Sequence, residues 1–261
     1  MSGSIMLSNV INKTILVQTR YMGTGTRGAR GHGWLKKYRD GLGERHLQGR
    51  FHKRDVEHLN NINNQVFSLN GDKKTIAYLD FKIGEGSATA GGKDEDASLD
   101  TPKTIKRVTI ELATAALPQT CENFIKLCHS NDDEGHTYMN SKIFKIEPKV
   151  GICLGDLPHS NGKEGKCHPS INGGLDTFPD EAMVLTHSEK GIISMISTGV
   201  DKNDSRFFIT TVDDAPHLDG RHVAFGRVKE GMDALEEIVK NTYTKKGRPT
   251  VDIQVVSCGT L

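Results

Sequence analysis

From residue 75 onward the chain is a series of short apolar runs cut by turn-forming residues. Thr75 to Ile83 (TIAYLDFKI) predicts a first strand, and Val108, Ile110 and Leu112 alternate as another. Phe207 to Thr211 is rich in aromatic and β-branched residues and predicts a third strand. A polar turn at Asp213-Asp214, a tight Asp219-Gly220 turn and a strand alternating through Val223, Phe225 and Val228 follow it. Val251 to Val256 predicts the last strand. Helical spacing stands out at two places. Pro118 opens a helix with Cys121, Phe124, Leu127 and Cys128 on one face, and Met232 to Tyr243 carries Met232, Leu235, Ile238 and Val239 in register. Many short strands with two separated helices predict a mostly β fold, a closed antiparallel β-barrel capped by two α-helices. Residues 84–104, a Gly/Ala/Ser/acid segment without periodicity, predict a surface loop.

Composition changes the picture at the N-terminus. Hydrophobic residues at 35% and charged residues at 26% of 261 suit a soluble globular chain, and no apolar run approaches the ~18 to 20 residues that cross a bilayer. The formal net charge is +1, yet residues 1–54 hold eleven Lys/Arg against Asp40 and Glu44. That excess of nine positive charges leaves −8 for the remainder, which predicts a basic, Gly-rich extension over 1–74 on a mildly acidic domain over 75–261. Between Met1 and Arg39 there is no Asp or Glu. Lys13, Arg20, Arg27 and Arg30, set among Ser, Thr and the apolar Ile11, Ile15, Leu16 and Val17, give the composition of a mitochondrial transit peptide. A mitochondrial location is therefore expected, with a basic cytoplasmic tail as the alternative. Residues 20–60 interleave Tyr21, Trp34, Tyr38 and Phe51 with basic side chains, a mixture that suits RNA, anionic lipid or an acidic protein groove. The expected use is an arm lying along other protein subunits of a larger mitochondrial assembly. Gly23-x-Gly25-x-x-Gly28 is not read as a phosphate loop, because no apolar strand precedes it.

Five cysteines (Cys121, Cys128, Cys153, Cys167 and Cys258), none in a C-x-x-C pair, fit a reducing compartment. Cys121 and Cys128, seven apart on one helical face, read as small core residues. His129, Asp132, Asp133, Glu134 and His136 crowd one loop, and His159, Cys167 and His168 another. Neither group has the spacing or ligand count of a metal centre, so no metal or other cofactor is expected.

Ser205, Phe207, Phe208, Ile209 and Thr211, then Leu218-Asp219-Gly220, His222-Val223, Phe225-Gly226 and Val228, keep a gap-free order. This stretch resembles the cyclophilin segment S-Q-F-F-I-x-T…W-L-D-G-x-H-V-x-F-G-x-V. Arg107, Val108, Glu111, Leu112, Pro118, Thr120, Glu122, Asn123 and Phe124 meet the family's R-V-x-x-E-L…P-x-T-x-E-N-F, and Ser257-Cys258-Gly259-x-Leu261 matches its ending. The resemblance covers residues 75–261 and implies the cyclophilin barrel and peptidyl-prolyl cis-trans isomerase activity. Rotation about an X-Pro bond faces a barrier of about 18 to 20 kcal/mol, because amide resonance must be broken. An enzyme lowers it by gripping the proline ring, holding the preceding backbone and offering a donor to the prolyl nitrogen. In the family an arginine is that donor.

Here the resemblance implies departures. Lys145 stands in place of the arginine, and loses the planar fork of donors. Val150 and Gly151 replace a pocket phenylalanine and methionine, side chains worth roughly 1.5 to 3 kcal/mol each when fully buried. Cys153 replaces the glutamine that steadies the arginine, Arg206 another glutamine, and His217 a tryptophan. The Ala-Asn-Ala rail along the substrate is Ile196-Ser197-Thr198. Phe208, Leu218 and His222 keep their family identities. The expectation is a divergent domain with weak or absent isomerase activity, serving as a structural or binding subunit. The alternative is an active isomerase assisting organellar protein folding.

Overall fold

The structure, a computed structural model, describes residues 55–84, 105–130, 136–157, 162–242, 244–245 and 247–261. The arm over 1–54, nearly all of the loop expected over 84–104, Asp132 to Glu134 and His159 lie outside the described residues. After a helix α1 (Val56–Ser68), strand β1 (Thr75–Ile83) lies where the alternation puts it, with Ala77, Leu79 and Phe81 buried. Next come β2 (Ile105–Leu112), helix α2 (Pro118–His129), β3 (Lys145–Glu147), β4 (Gly151–Leu154), β5 (Ile192–Ser197), β6 (Asn203–Thr210) and β7 (Ala224–Glu230). Helix α3 (Met232–Asn241), a small β8 (Thr244–Lys245) and β9 (Arg248–Pro249) hairpin, and β10 (Ile253–Thr260) complete the chain.

Eight of the strands form one antiparallel sheet in the order β10-β1-β2-β7-β5-β6-β4-β3. The sheet curls until its two edges meet. The segment entering β3 bridges to β10 at Lys142 and Gln254, and Asn140 N–H donates to Val255 O (2.7 Å), Val255 N–H to Ser141 O (2.9 Å) and Ile143 N–H to Ile253 O (2.9 Å). Those bonds satisfy backbone groups that an open sheet would leave unpaired. The strands predicted on either side of the Asp219-Gly220 turn, β6 and β7, do not pair with each other, because β5 lies between them.

Inside, Phe124 and Tyr138 meet Phe207 and Phe225 at ring centroid separations of 5.2 to 5.4 Å. Helix α2 starts at Pro118 as expected, but no side chain of its own turn caps it. Glu181 does so from across the fold, accepting from Gln119 N–H (3.0 Å) and Thr120 N–H (2.8 Å). Cys121 and Cys128 are buried on its inner face, as their spacing implies.

Two expectations are corrected. Three helices, not two, occur among the described residues, because the hydrophobic pattern did not single out α1. Leu59, Ile62, Val66 and Phe67 recur at helical spacing and are buried, and the Asp55 carboxylate caps the first turn by accepting from His58 N–H (3.0 Å). Four asparagines and a glutamine dilute that signal and are weak helix formers or neutral, so packing supplies the stability. At roughly 1.5 to 3 kcal/mol per buried large apolar side chain, those four outweigh the propensity deficit. Second, the last strand runs from Ile253 to Thr260, later than the run at 251–256 indicates, so β10 pairs with β1 along its length.

Candidate functional site

Strands β3, β4, β5 and β6 and the loop between β6 and β7 surround a pocket of about 250 Å³. Its apolar lining consists of Phe144, Val150, Cys153, Ile196, Phe208 and Leu218, and its polar groups are Lys145, Glu147, Arg206 and His222. Cys153, Phe208, Ala215 and Leu218 form a small apolar cluster separate from the barrel core, with Val150 and Ile196 packed on it. Phe208 and Leu218 are thus both buried and pocket-lining, with Phe208 2% and Leu218 5% exposed. Burial pushes the Cys153 thiol up to about 12, with the nearby Glu147 carboxylate adding to the effect, so it enters the floor as an uncharged, weakly polar group.

Eight of the twelve site residues expected from sequence come together there: Lys145, Val150, Cys153, Ile196, Arg206, Phe208, Leu218 and His222. The other four do not line it. Gly151 is buried in β4, paired to Thr210, with φ +141°. Ser197 ends β5 opposite Asn203, and His217 is exposed on the loop. Thr198 lines a neighbouring depression of about 210 Å³, between Lys163, Lys166, Asp176 and Asp204, which shares Arg206 with the pocket.

Two partners escaped the sequence reading. Lys145 is ion-paired with Glu147, and both side chains are partly exposed at the pocket. The signal was present: residues i and i+2 of a strand share a face. Arg206 is 4% exposed and locked onto Asp204. Its Nε donates to Asp204 Oδ2 (3.0 Å), its Nη2 to the same oxygen (2.6 Å), and its Nη1 to Lys163 O (3.0 Å). Burial raises the Asp204 carboxyl above its ordinary range, against the opposing hydrogen bonds and charge of Arg206. Here again the two residues sit i, i+2 on one strand.

His222 stacks edge-on against Phe208 at 5.2 Å, and its Nδ1 lies 3.1 Å from Met195 O. A carbonyl only accepts, so Nδ1 carries the proton and Nε2 is left as an acceptor. Burial, followed by the charge of His187, holds this imidazole below its ordinary value. Behind the wall, His187 lies between Asp219 (Nδ1 to Oδ1, 2.8 Å) and Ser194 (Nε2 to Oγ, 2.6 Å). The order Asp-His-Ser has the connectivity of a hydrolytic triad, but His187 and Ser194 are both 0% exposed. A nucleophile without access to substrate does no chemistry, so the trio holds the loop in place.

Among the described residues no group of three His, Cys, Asp or Glu side chains is arranged to hold a metal. Of the two loop clusters noted in the sequence, His129 bonds Thr260 Oγ1 (3.0 Å), the Cys167 thiol donates to Leu175 O (3.1 Å) and His168 bonds Ser170 Oγ (2.9 Å). Their remaining members are His136, which is described, and residues outside the described set. Among the described residues no helix is long and apolar enough to cross a membrane.

Comparison with known proteins places this geometry. The profile of the family described as "Cyclophilin type peptidyl-prolyl cis-trans isomerase/CLD" matches residues 98–260. The chain is 37% identical over 156 residues to peptidyl-prolyl cis-trans isomerase B of Saccharomyces cerevisiae, covering 59% of this chain and 73% of that protein. It is 34% identical over 191 residues to peptidyl-prolyl cis-trans isomerase D of Mycosarcoma maydis, covering 71% and 44%. It is also 37% identical over 163 residues to the NK-tumor recognition protein of Homo sapiens, 60% of this chain but only 11% of that much longer protein.

Proposed function

Because the chain belongs to the cyclophilin-type peptidyl-prolyl cis-trans isomerase family, we propose that its pocket is a peptide-binding groove with weak or absent isomerase activity. The protein then serves as a structural or binding subunit of a larger mitochondrial assembly, reached through its basic arm. The observation that carries this reading is the Lys145–Glu147 ion pair. The residue in the donor's position is a lysine without a planar fork, and a carboxylate in the same pocket competes for its protons. Loss of a charged hydrogen bond of roughly 1.5 to 3 kcal/mol at the transition state corresponds to about one to two decades in rate. Arg206, the other cation of the pocket, is already committed to Asp204 and two backbone carbonyls. The mitochondrial assignment and the arm's partners, protein subunits with RNA or anionic lipid as further options, rest on the composition of residues 1–54.

A second reading, an active isomerase in organellar folding, is favoured by two observations. Phe208, Leu218 and His222 still stand together around an open pocket, and two relatives carry the isomerase name. The full-length protein assayed on an Xaa-Pro tetrapeptide separates the two. Turnover within threefold of an active cyclophilin run alongside supports the second and ends the first.

A further inference from the structure

We propose that α1 is a built-in brace for the wall of the pocket, acting through Asn63, a positioning residue remote from any ligand. Asn63 is 0% exposed on the inner face of α1. Its amide pairs at two points with the backbone of Thr186: Thr186 N–H donates to Asn63 Oδ1 (3.0 Å), and Asn63 Nδ2 donates to Thr186 O (3.0 Å). A side-chain amide used this way copies the N–H and C=O of a neighbouring strand. The grip is reinforced at Ser188, whose hydroxyl accepts from Asn63 Nδ2 (3.3 Å) and donates to Asn60 Oδ1 (2.6 Å).

Between these two contacts lies His187, and His187 holds the wall. Its carbonyl accepts from Ala215 N–H (2.8 Å), its N–H donates to Asp219 Oδ1 (2.8 Å), and its ring stacks on Phe208 at 5.8 Å. From Ala215 the loop continues inward: Leu218 N–H donates to Ala215 O (3.0 Å) and His222 N–H to Leu218 O (3.3 Å). The segment 186–188 is thus clasped by α1 on one side and carries Leu218 and His222 on the other. These bonds are buried, so removing the amide leaves desolvated groups at Thr186 that nothing else satisfies as well. Helix α1 precedes β1, the first strand of the barrel, and lies before residue 98, where the family match begins. The bearing of the brace on ligand binding rests on the pocket reading above; the bracing itself does not.

The test is amide hydrogen exchange on the full chain, comparing the unaltered protein with Asn63→Ala and with the milder Asn60→Ala. In Asn63→Ala the amides of His187, Ala215, Leu218 and His222 are expected to exchange about tenfold faster, beyond any change at β1 and β2. Asn60→Ala should show the same pattern at smaller amplitude. Acceleration confined to α1 and Thr186, or spread evenly over the sheet, overturns the proposal. If Asn63→Ala does not fold, Asn60→Ala decides alone, and wall amides no faster than in the unaltered chain overturn it. Titration with an Xaa-Pro tetrapeptide in the same spectra keeps the two ideas apart: no binding to the unaltered chain removes the groove and leaves the brace.

Discussion

Gly151 of β4 lies against Ile209 of β6 so closely that a Cβ at this position would overlap the Ile209 carbonyl oxygen and stand 2.9 Å from Thr211 N. With φ at +141°, the backbone is also one that L side chains rarely adopt. The methionine that the family resemblance places here has therefore not simply been trimmed away, since this strand has no room for any side chain. Gly151→Met is expected to lower stability by about 2 kcal/mol or more, through overpacking and backbone strain together. Urea unfolding reads the change, and a loss under about 0.5 kcal/mol would mean that β4 shifts freely.

Lys145 and Glu147 set the second expectation. With the carboxylate in place, Lys145→Arg alone exchanges one ion pair for another and should leave isomerisation of an Xaa-Pro peptide near its starting level. Adding Glu147→Ile frees the guanidinium, and the double variant should be faster than the single by about tenfold, the worth of 1.4 kcal/mol. Equal rates for the two would show that Glu147 is a bystander.

How far the sequence led is visible at these same residues. The barrel strands were legible because Leu79, Phe81, Val108, Ile110 and Leu112 alternate over a one-sided core, and the pocket wall because Phe208, Leu218 and His222 sit in an ungapped motif. Arg206 looked like a bare replacement of glutamine, whereas its meaning lies in Asp204 two residues earlier. A substitution table treats positions singly; a strand couples i with i+2. Helix α1 was hidden for another reason. Its asparagines interrupt the apolar repeat, and Asn63 faces inward and bonds Thr186, a partner 123 residues away that no local pattern encodes.

His222 gives a dependence on pH. Burial holds its imidazole below the ordinary value, so the unfolded chain, titrating near 6.5, binds a proton more readily than the folded protein. Stability linked to this group is complete above about pH 6.5 and declines as pH falls through that value toward the lower folded one. Urea midpoints from pH 8 to 5 should fall less steeply in His222→Gln, whose amide can still donate to Met195 O. Identical slopes would remove His222 as a contributor to the acid limb.

Arg206 and Asp204 are buried together, with side chains 5% and 2% exposed, so the guanidinium stands in for the water that would otherwise solvate the carboxylate. Arg206→Gln, which restores the residue that the family resemblance expects, leaves a carboxylate buried without its cation and should destabilise by about 3 to 5 kcal/mol. Asp204→Asn removes the charge from the other end. Combined in one chain, the two neutral amides can satisfy each other and the carbonyls of Gly162 and Lys163 that Arg206 now serves. The double variant should therefore be more stable than Arg206→Gln alone, a non-additivity that a double-mutant cycle on urea midpoints measures directly. If the double variant is instead no better than the single, the arginine stands in the pocket for what it offers a ligand, not for what it does for Asp204.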